Sequence, residues 1–263
     1  MSLIIPLCSS SNGNSVFAGS RNAGILIDVG CSFRKLRFLL DSCGVEFSAV
    51  KAVLITHEHD DHVKGLYQLT RHTEIPVYAS EGTIQGLIAE NKVSSRTRIC
   101  DLSELGDAPT DYKINAFATP HDSAESIGFT LEKGDCKIAY CTDLGSITQE
   151  VRSGMEGANF VFLESNYEPE LLQKNMRYPN YIKNRVASDN GHLSNRDCSE
   201  FLTELVEGGA TRFILGHLSR ENNTPAIARE RAARRLAEHG AVYNRDYTLE
   251  IAPSETIGEV VAV

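Results

Sequence analysis

Short apolar runs alternate along this chain with amphipathic stretches, and turn residues separate the two. Runs rich in Ile, Val, Leu, Phe and Tyr predict strands over 2–7, 22–28, 52–56, 76–80, 112–119, 126–132, 137–142, 160–165 and 212–217. Apolar positions three and four apart predict helices over 32–43, 62–73, 81–91, 196–209 and 227–240. Strands interleaved with helices give an α/β class. No low-complexity linker interrupts the pattern, so 1–263 reads as a single domain. Within it "GILIDVG" (24–30) and "KIAYCTDLG" (137–145) echo one another: an apolar strand, an Asp at its end, then Gly. The echo suggests two pseudo-symmetric halves that meet near residue 130, with chemistry at the strand ends.

Composition narrows the class. At 41% hydrophobic and 23% charged residues, the chain is an ordinary globular protein with a substantial core. Its apolar runs are too short to span a membrane, and the start "MSLIIPLCSS" lacks a basic region ahead of its short apolar run. The seven cysteines are scattered, with no CxxC pair, which predicts reduced thiols and a cytoplasmic location. The net charge of −9 excludes a globally basic nucleic-acid binder and leaves any phosphate contacts to local patches.

The densest chemistry lies in "ITHEHDDHVKG", residues 55–65, where three histidines and three acids occupy positions 57–62. An apolar strand precedes this turn and a helix pattern follows it. The turn therefore sits at a strand's carboxyl end, where α/β folds build their sites. His-x-His-x-Asp-His spacing points His57 and His59 one way and Asp61 and His62 another, which serves two metal ions from one turn. Neutral imidazole and carboxylate oxygen suit Zn(II), Mn(II) or Fe(II). Further ligands are needed. His121, Asp143 and His217 each fall at the end of a strand pattern, and a carboxylate at 143 can bridge two ions.

With these residues in place, the sequence resembles the metallo-β-lactamase-fold hydrolases: "LIDVG", "THEHDDH", "TPHD", "CTDLG" and "LGHLS" match that family's five motifs in order. The resemblance implies a four-layer αβ/βα sandwich holding two divalent ions. His57, His59 and His121 would hold one, Asp61, His62 and His217 the other, with Asp143 bridging and Asp28 supporting the ligand turn. "CSSSNGNSVF", "RYPNYIKNRVASDNGHLSN" and "GHLSRENNTP" resemble the YycJ-type (WalJ) branch, although Tyr167 stands where that branch has His and Ile182 where it has Leu. The branch implies a 5′→3′ DNA exonuclease that hydrolyses phosphodiesters with hydroxide held between its ions and oriented by Asp61. A small-molecule phosphodiesterase of the PhnP-like type is the alternative. Less favoured are a thioester or lactam hydrolase and a non-catalytic regulatory partner. The 73 residues between Asp143 and His217 are too few for a β-CASP insertion, which argues against RNA processing of that type.

The substrate residues are read less directly. His192 lies just ahead of a helix start signalled by Ser194 and Asp197, where anions are favoured. It is assigned to binding phosphate or protonating the leaving group, with Ser194 beside it. The loop Ser9, Ser10, Ser11, Asn12, Gly13, Asn14 reads from composition as a hairpin turn, and the resemblance raises it to a phosphate nest. Lys174, Arg177, Lys183 and Arg185, interspersed with Tyr178 and Tyr181, form the best local basic patch for DNA.

Overall fold

A computed structural model of the protein describes residues 3–262, so Ser2, the first residue of the first predicted strand, lies outside them. The chain forms two compact units: Met1–Asn115 with Ser123–Ile127 and Pro253–Val263, and Ala116–Asp122 with Gly128–Ala252.

The first unit is built on a seven-stranded mixed sheet. Its strands are β1 (Leu3–Ser10), β2 (Gly13–Gly19), β3 (Gly24–Ile27), β4 (Val50–Leu54), β5 (Val77–Tyr78), β6 (Ile99–Cys100) and the late β13 (Val261–Ala262), ordered β13-β1-β2-β3-β4-β5-β6. β1 and β2 form an antiparallel hairpin that takes up most of the expected loop over 9–14 and leaves only Ser11–Asn12 as its turn. The polar start "GNS" hid β2 from the hydrophobic pattern. Helix α1 (Phe33–Ser42) is capped by Ser32, which accepts from Lys35 N, and buries Leu36, Leu39 and Leu40 at helical spacing. These pack with Leu66 and Leu69 of α3 (Leu66–His72) and Leu87 of α4 (Glu81–Ala89) against Leu26, Val53 and Val77 of the sheet.

The helix predicted over 62–73 is broken into α2 (Asp60–Val63) and α3. The break is steric. A Cβ on Gly65 would lie 2.2 Å from the Cys31 carbonyl oxygen, so the chain passes close against the turn after β3. Gly30 does the same on the other side: its Cβ would sit 1.8 Å from Asp61 O and 2.3 Å from Asn14 N. Gly30→Ala should therefore cost at least about 1–3 kcal/mol. The midpoint of urea unfolding measures it, and an unchanged midpoint would refute the close packing.

The second unit has a six-stranded sheet ordered β12-β11-β10-β9-β8-β7. Its strands are β7 (Lys113–Ala118), β8 (Ile127–Lys133), β9 (Cys136–Cys141), β10 (Phe160–Glu164), β11 (Arg212–Gly216) and β12 (Thr248–Ile251). β9, β10, β11 and β12 are parallel, and the register pairs Cys141 with Leu163 and Leu163 with Leu215. Three helices cover one face, burying Val151 and Met155 of α5 (Gln149–Met155), Phe201, Leu202 and Leu205 of α8 (Asn195–Glu207), and Ala232 and Leu236 of α9 (Pro225–Glu238). Two short helices missed by the pattern, α6 (Pro169–Lys174) and α7 (Asn180–Val186), lie between β10 and α8. α7 buries no side chain, so it has no apolar face for periodicity to detect.

None of the helices among the described residues is long and apolar enough to cross a membrane. The seven cysteines are free thiols, five of them buried.

Candidate metal centre

Each unit carries a cluster of imidazoles and carboxylates at the carboxyl ends of parallel strands. In the first unit, β3 and β4 run parallel with Ile27 opposite Leu54. The residues that follow, Asp28 and Ile55–Thr56, therefore emerge at one edge. Asp28 is fully buried and accepts three kinds of bond: from Thr56 N (2.9 Å), from Thr56 Oγ1 (3.0 Å), and from His62 Nδ1 (2.8 Å). Burial pushes its carboxyl pKa up, while His62 and Thr56 oppose the rise. His57 and His62 have ring centroids 4.1 Å apart, and His57 and His59 4.6 Å apart. Thr56 Oγ1 also meets His57 Nδ1 at 3.0 Å. Asp61 Oδ2 lies 3.6 Å from His62 Nε2. The first unit thus brings His57, His59, Asp61 and His62 together, with Asp28 beneath them.

The Ser-rich segment turns out to serve this turn. Ser9, Ser10 and Asn14 are buried. Ser9 Oγ donates to Asn14 Oδ1 (3.2 Å), and the Asn14 amide donates to Ser10 O (3.0 Å) and contacts Asp61 Oδ2 (3.4 Å) and His62 Nε2 (3.1 Å). A phosphate nest needs exposed donors, and of these residues only Ser11 and Asn12 are exposed.

In the second unit the parallel register sets Asp143, Glu164 and His217 at the ends of adjacent β9, β10 and β11. His121 Nδ1 donates to Gly191 O (3.0 Å), and its Nε2 lies 3.7 Å from Asp143 Oδ1. Burial pushes the His121 pKa down, against the pull of Asp143, and so favours the neutral ring. Ligand atoms of Asp143, Glu164, His192 and His217 all lie within 4.8 Å of one another. Glu164 was not singled out by the sequence reading, yet it organises this cluster. Fully buried, it accepts from His192 Nδ1 and His217 Nδ1 at 2.8 Å each through Oε1. Its Oε2 accepts from Leu144 N (3.0 Å) and Leu193 N (3.3 Å). Burial would raise the Glu164 pKa, but the charges and hydrogen bonds of the two histidines lower it overall. His192 shows the converse: burial disfavours its charge, and Glu164 outweighs that and raises its pKa. The signal for Glu164 was present in "FVFLE", an acid ending an apolar parallel strand as Asp28 and Asp143 do.

Three of these strand-end residues are held in the left-handed region: Asp28 at φ 61°, Asp143 at φ 58° and His217 at φ 55°. For an L-residue this costs roughly 1–2 kcal/mol, and such strain concentrates at functional positions. Backbone anchoring sustains it at His217, whose carbonyl accepts from Asn166 Nδ2 (2.8 Å).

The donor chemistry suits divalent metal. His62, His121 and His217 each commit Nδ1 to a buried acceptor, which fixes the tautomer and leaves Nε2 as the ligating atom. Acidic partners for two of the three raise ligand basicity. A metal on His62 Nε2 would replace its contact with the Asn14 amide.

The remaining expected substrate residues are occupied otherwise. Ser194 caps α8, accepting from Asp197 N (3.1 Å) and donating to Asp197 Oδ2 (2.6 Å). Lys183 donates to Gln173 O (2.7 Å), Arg177 pairs with Glu221 (2.8 Å), and Arg185 pairs with Asp122. Of that basic patch, Arg177 and Arg185 are thus matched by acids, and both guanidiniums remain more than half exposed.

The site and the strand order define a hydrolase of the metallo-β-lactamase fold, and the chain belongs to the beta-lactamase superfamily: the model of the Beta-lactamase superfamily domain matches residues 24–218. Among its relatives, the Exodeoxyribonuclease YycJ of Bacillus anthracis is 32% identical over 239 residues, 89% of each chain. The Exodeoxyribonuclease WalJ of Streptococcus pneumoniae (serotype 2, strain D39) is 32% identical over 88% of this chain and 87% of its own. In fold the chain resembles Zn(2+)-bound PqqB from Methylobacterium extorquens, with a TM-score of 0.72, 15% identity and full coverage of both chains.

Proposed function

We propose that this chain is a divalent-metal-dependent phosphodiesterase that digests DNA from the 5′ end. Its ion ligands are His57, His59, Asp61, His62, His121, Asp143 and His217. The similarity to two exodeoxyribonucleases over nearly the whole length supports the substrate. The observation that carries the chemistry is the Glu164–His192 pair within the Asp143–His217 cluster.

Two ions of zinc, manganese or iron would supply Lewis acidity, polarising the phosphoryl oxygens and lowering the pKa of water. The protein's own residues do the rest. Asp61 orients the attacking water. His192, its Nδ1 held by Glu164, has Nε2 available to give a proton to the leaving oxygen. Glu164 raises the His192 pKa, which favours the protonated ring that a general acid needs. Glu164 acts through His192 and His217 by fixing their rings, and Asp28 does the same for His62.

The test uses purified protein loaded with Mn(II) or Zn(II) and duplex DNA labelled at either end. Early release of the 5′ label, absent in Asp143→Asn, is the expected result. Release from neither end, with a small phosphodiester still cleaved, would move the assignment to a small-molecule phosphodiesterase.

A further inference from the structure

We propose that a cleft in the first unit, beside the turn that follows β3, is a subsite for a backbone phosphate of the DNA strand; this rests on DNA being the substrate. The cleft encloses about 430 Å³. Main chain forms much of its floor: Gly13 and Gly30 pack so closely that a Cβ on Gly13 would lie 2.7 Å from Gly30 O. Asn12, Ser32, Lys35 and Lys64 rise around that floor.

The two lysines are the decisive feature. Among the described residues, neither ammonium has an ion-pair or hydrogen-bond partner. Elsewhere the chain matches many of its cations to acids: Lys92 to Asp60, Arg98 to Glu104, Arg177 to Glu221 and Arg235 to Glu200. In a chain of net charge −9, two unmatched lysines on one cleft are not explained by a shortage of acids. Both act on the same wall. The Cys31 thiol has its pKa lowered first by the hydrogen bond from Cys8 and then by the charges of Lys35 and Lys64.

Position supplies the second argument. Gly30 packs against the Asp61 carbonyl, so the cleft adjoins the ligand turn within the same unit. Ser32, on its wall, caps the ten-residue α1, whose first turn adds positive potential. Flexible ammonium groups over a bare backbone floor suit a phosphodiester, which passes through a site and must leave it after each cut. They form point-charge contacts with no base recognition, as a processive or sequence-indifferent nuclease requires. Glu255 shares the rim and limits the site to one phosphate rather than a highly charged ligand.

The experiment compares wild type, Lys35→Ala/Lys64→Ala and Lys35→Arg/Lys64→Arg on 5′-labelled duplex DNA, across salt from about 25 to 200 mM. Each neutralised phosphate contributes about 0.9 to the slope of log(kcat/KM) against log[salt], so losing this one site should make the double alanine variant shallower by about 0.9. Its KM at low salt should rise about tenfold, and the arginine pair should stay within about twofold of wild type. An unchanged slope and KM in the alanine variant would overturn the subsite while leaving the nuclease reading standing. Equal losses in the arginine and alanine variants would also overturn it, because charge would not be the cause. Wild-type protein that cleaves a small phosphodiester but no DNA would overturn the substrate reading and this assignment with it.

Discussion

Asp143→Asn is expected to lose bound metal and hydrolytic activity together while keeping its fold. The choice of asparagine matters. Position 143 has φ 58°, a region that Asn tolerates as Asp does and that Ala disfavours. The backbone therefore survives, and the experiment isolates the carboxylate. That carboxylate is 2% exposed, with Oδ1 at 3.5 Å from both His192 Nδ1 and His217 Nδ1 and at 3.7 Å from His121 Nε2. Glu164 is bonded to two of these rings and spends its second oxygen on backbone amides. Loss of an outer partner of a metal site costs about 10–100-fold in affinity or activity. Loss of a ligand should exceed the upper figure. Metal content per chain by mass spectrometry and the rate on labelled DNA check it, with the melting temperature of the metal-free proteins as the control for folding. A variant with full metal and an ordinary rate would remove Asp143 from the ligand set.

Much of this site was legible because its residues fall where a pattern ends. His57, His121, Asp143 and His217 each close an apolar run, and a polar group at the carboxyl end of a buried strand requires a partner or a function. The order of the motifs then named the family, which the match over residues 24–218 bears out. The fold's helices were read where one face is apolar, as in α1 and α8, and missed where none is, as in α7. The break between α2 and α3 was invisible for a different reason. It depends on Gly65 meeting Cys31, a contact more than thirty positions away in sequence that no local pattern encodes. The same applies to Ser9, Ser10 and Asn14. Their composition fits an open anion-binding turn, but β2 pairs with β1 and takes them inside, where they brace Asp61 and His62. The pairing of Arg177 with Glu221 and of Arg185 with Asp122 is likewise visible only once the chain folds.

The last expectation separates proton transfer from binding at His192. If its Nε2 protonates the leaving oxygen, His192→Ala should lower kcat on DNA by about 10²–10⁴-fold, the usual worth of general acid catalysis. The loss should shrink to within about tenfold on bis(p-nitrophenyl) phosphate, because p-nitrophenolate is a weak base that departs without a proton and so draws little on the acid. The geometry favours this division. The ring is only part-exposed, its Nδ1 is bonded to the buried Glu164 at 2.8 Å, and it stands 5.2 Å from the His121 ring and 5.3 Å from the His217 ring, centroid to centroid. A group that merely bound phosphate would contribute to both substrates, since both carry the same phosphodiester core. Equal losses on the two would therefore assign His192 to phosphate or metal binding. A selective loss on DNA would assign it to the leaving group, with Glu164 holding the ring that carries the proton.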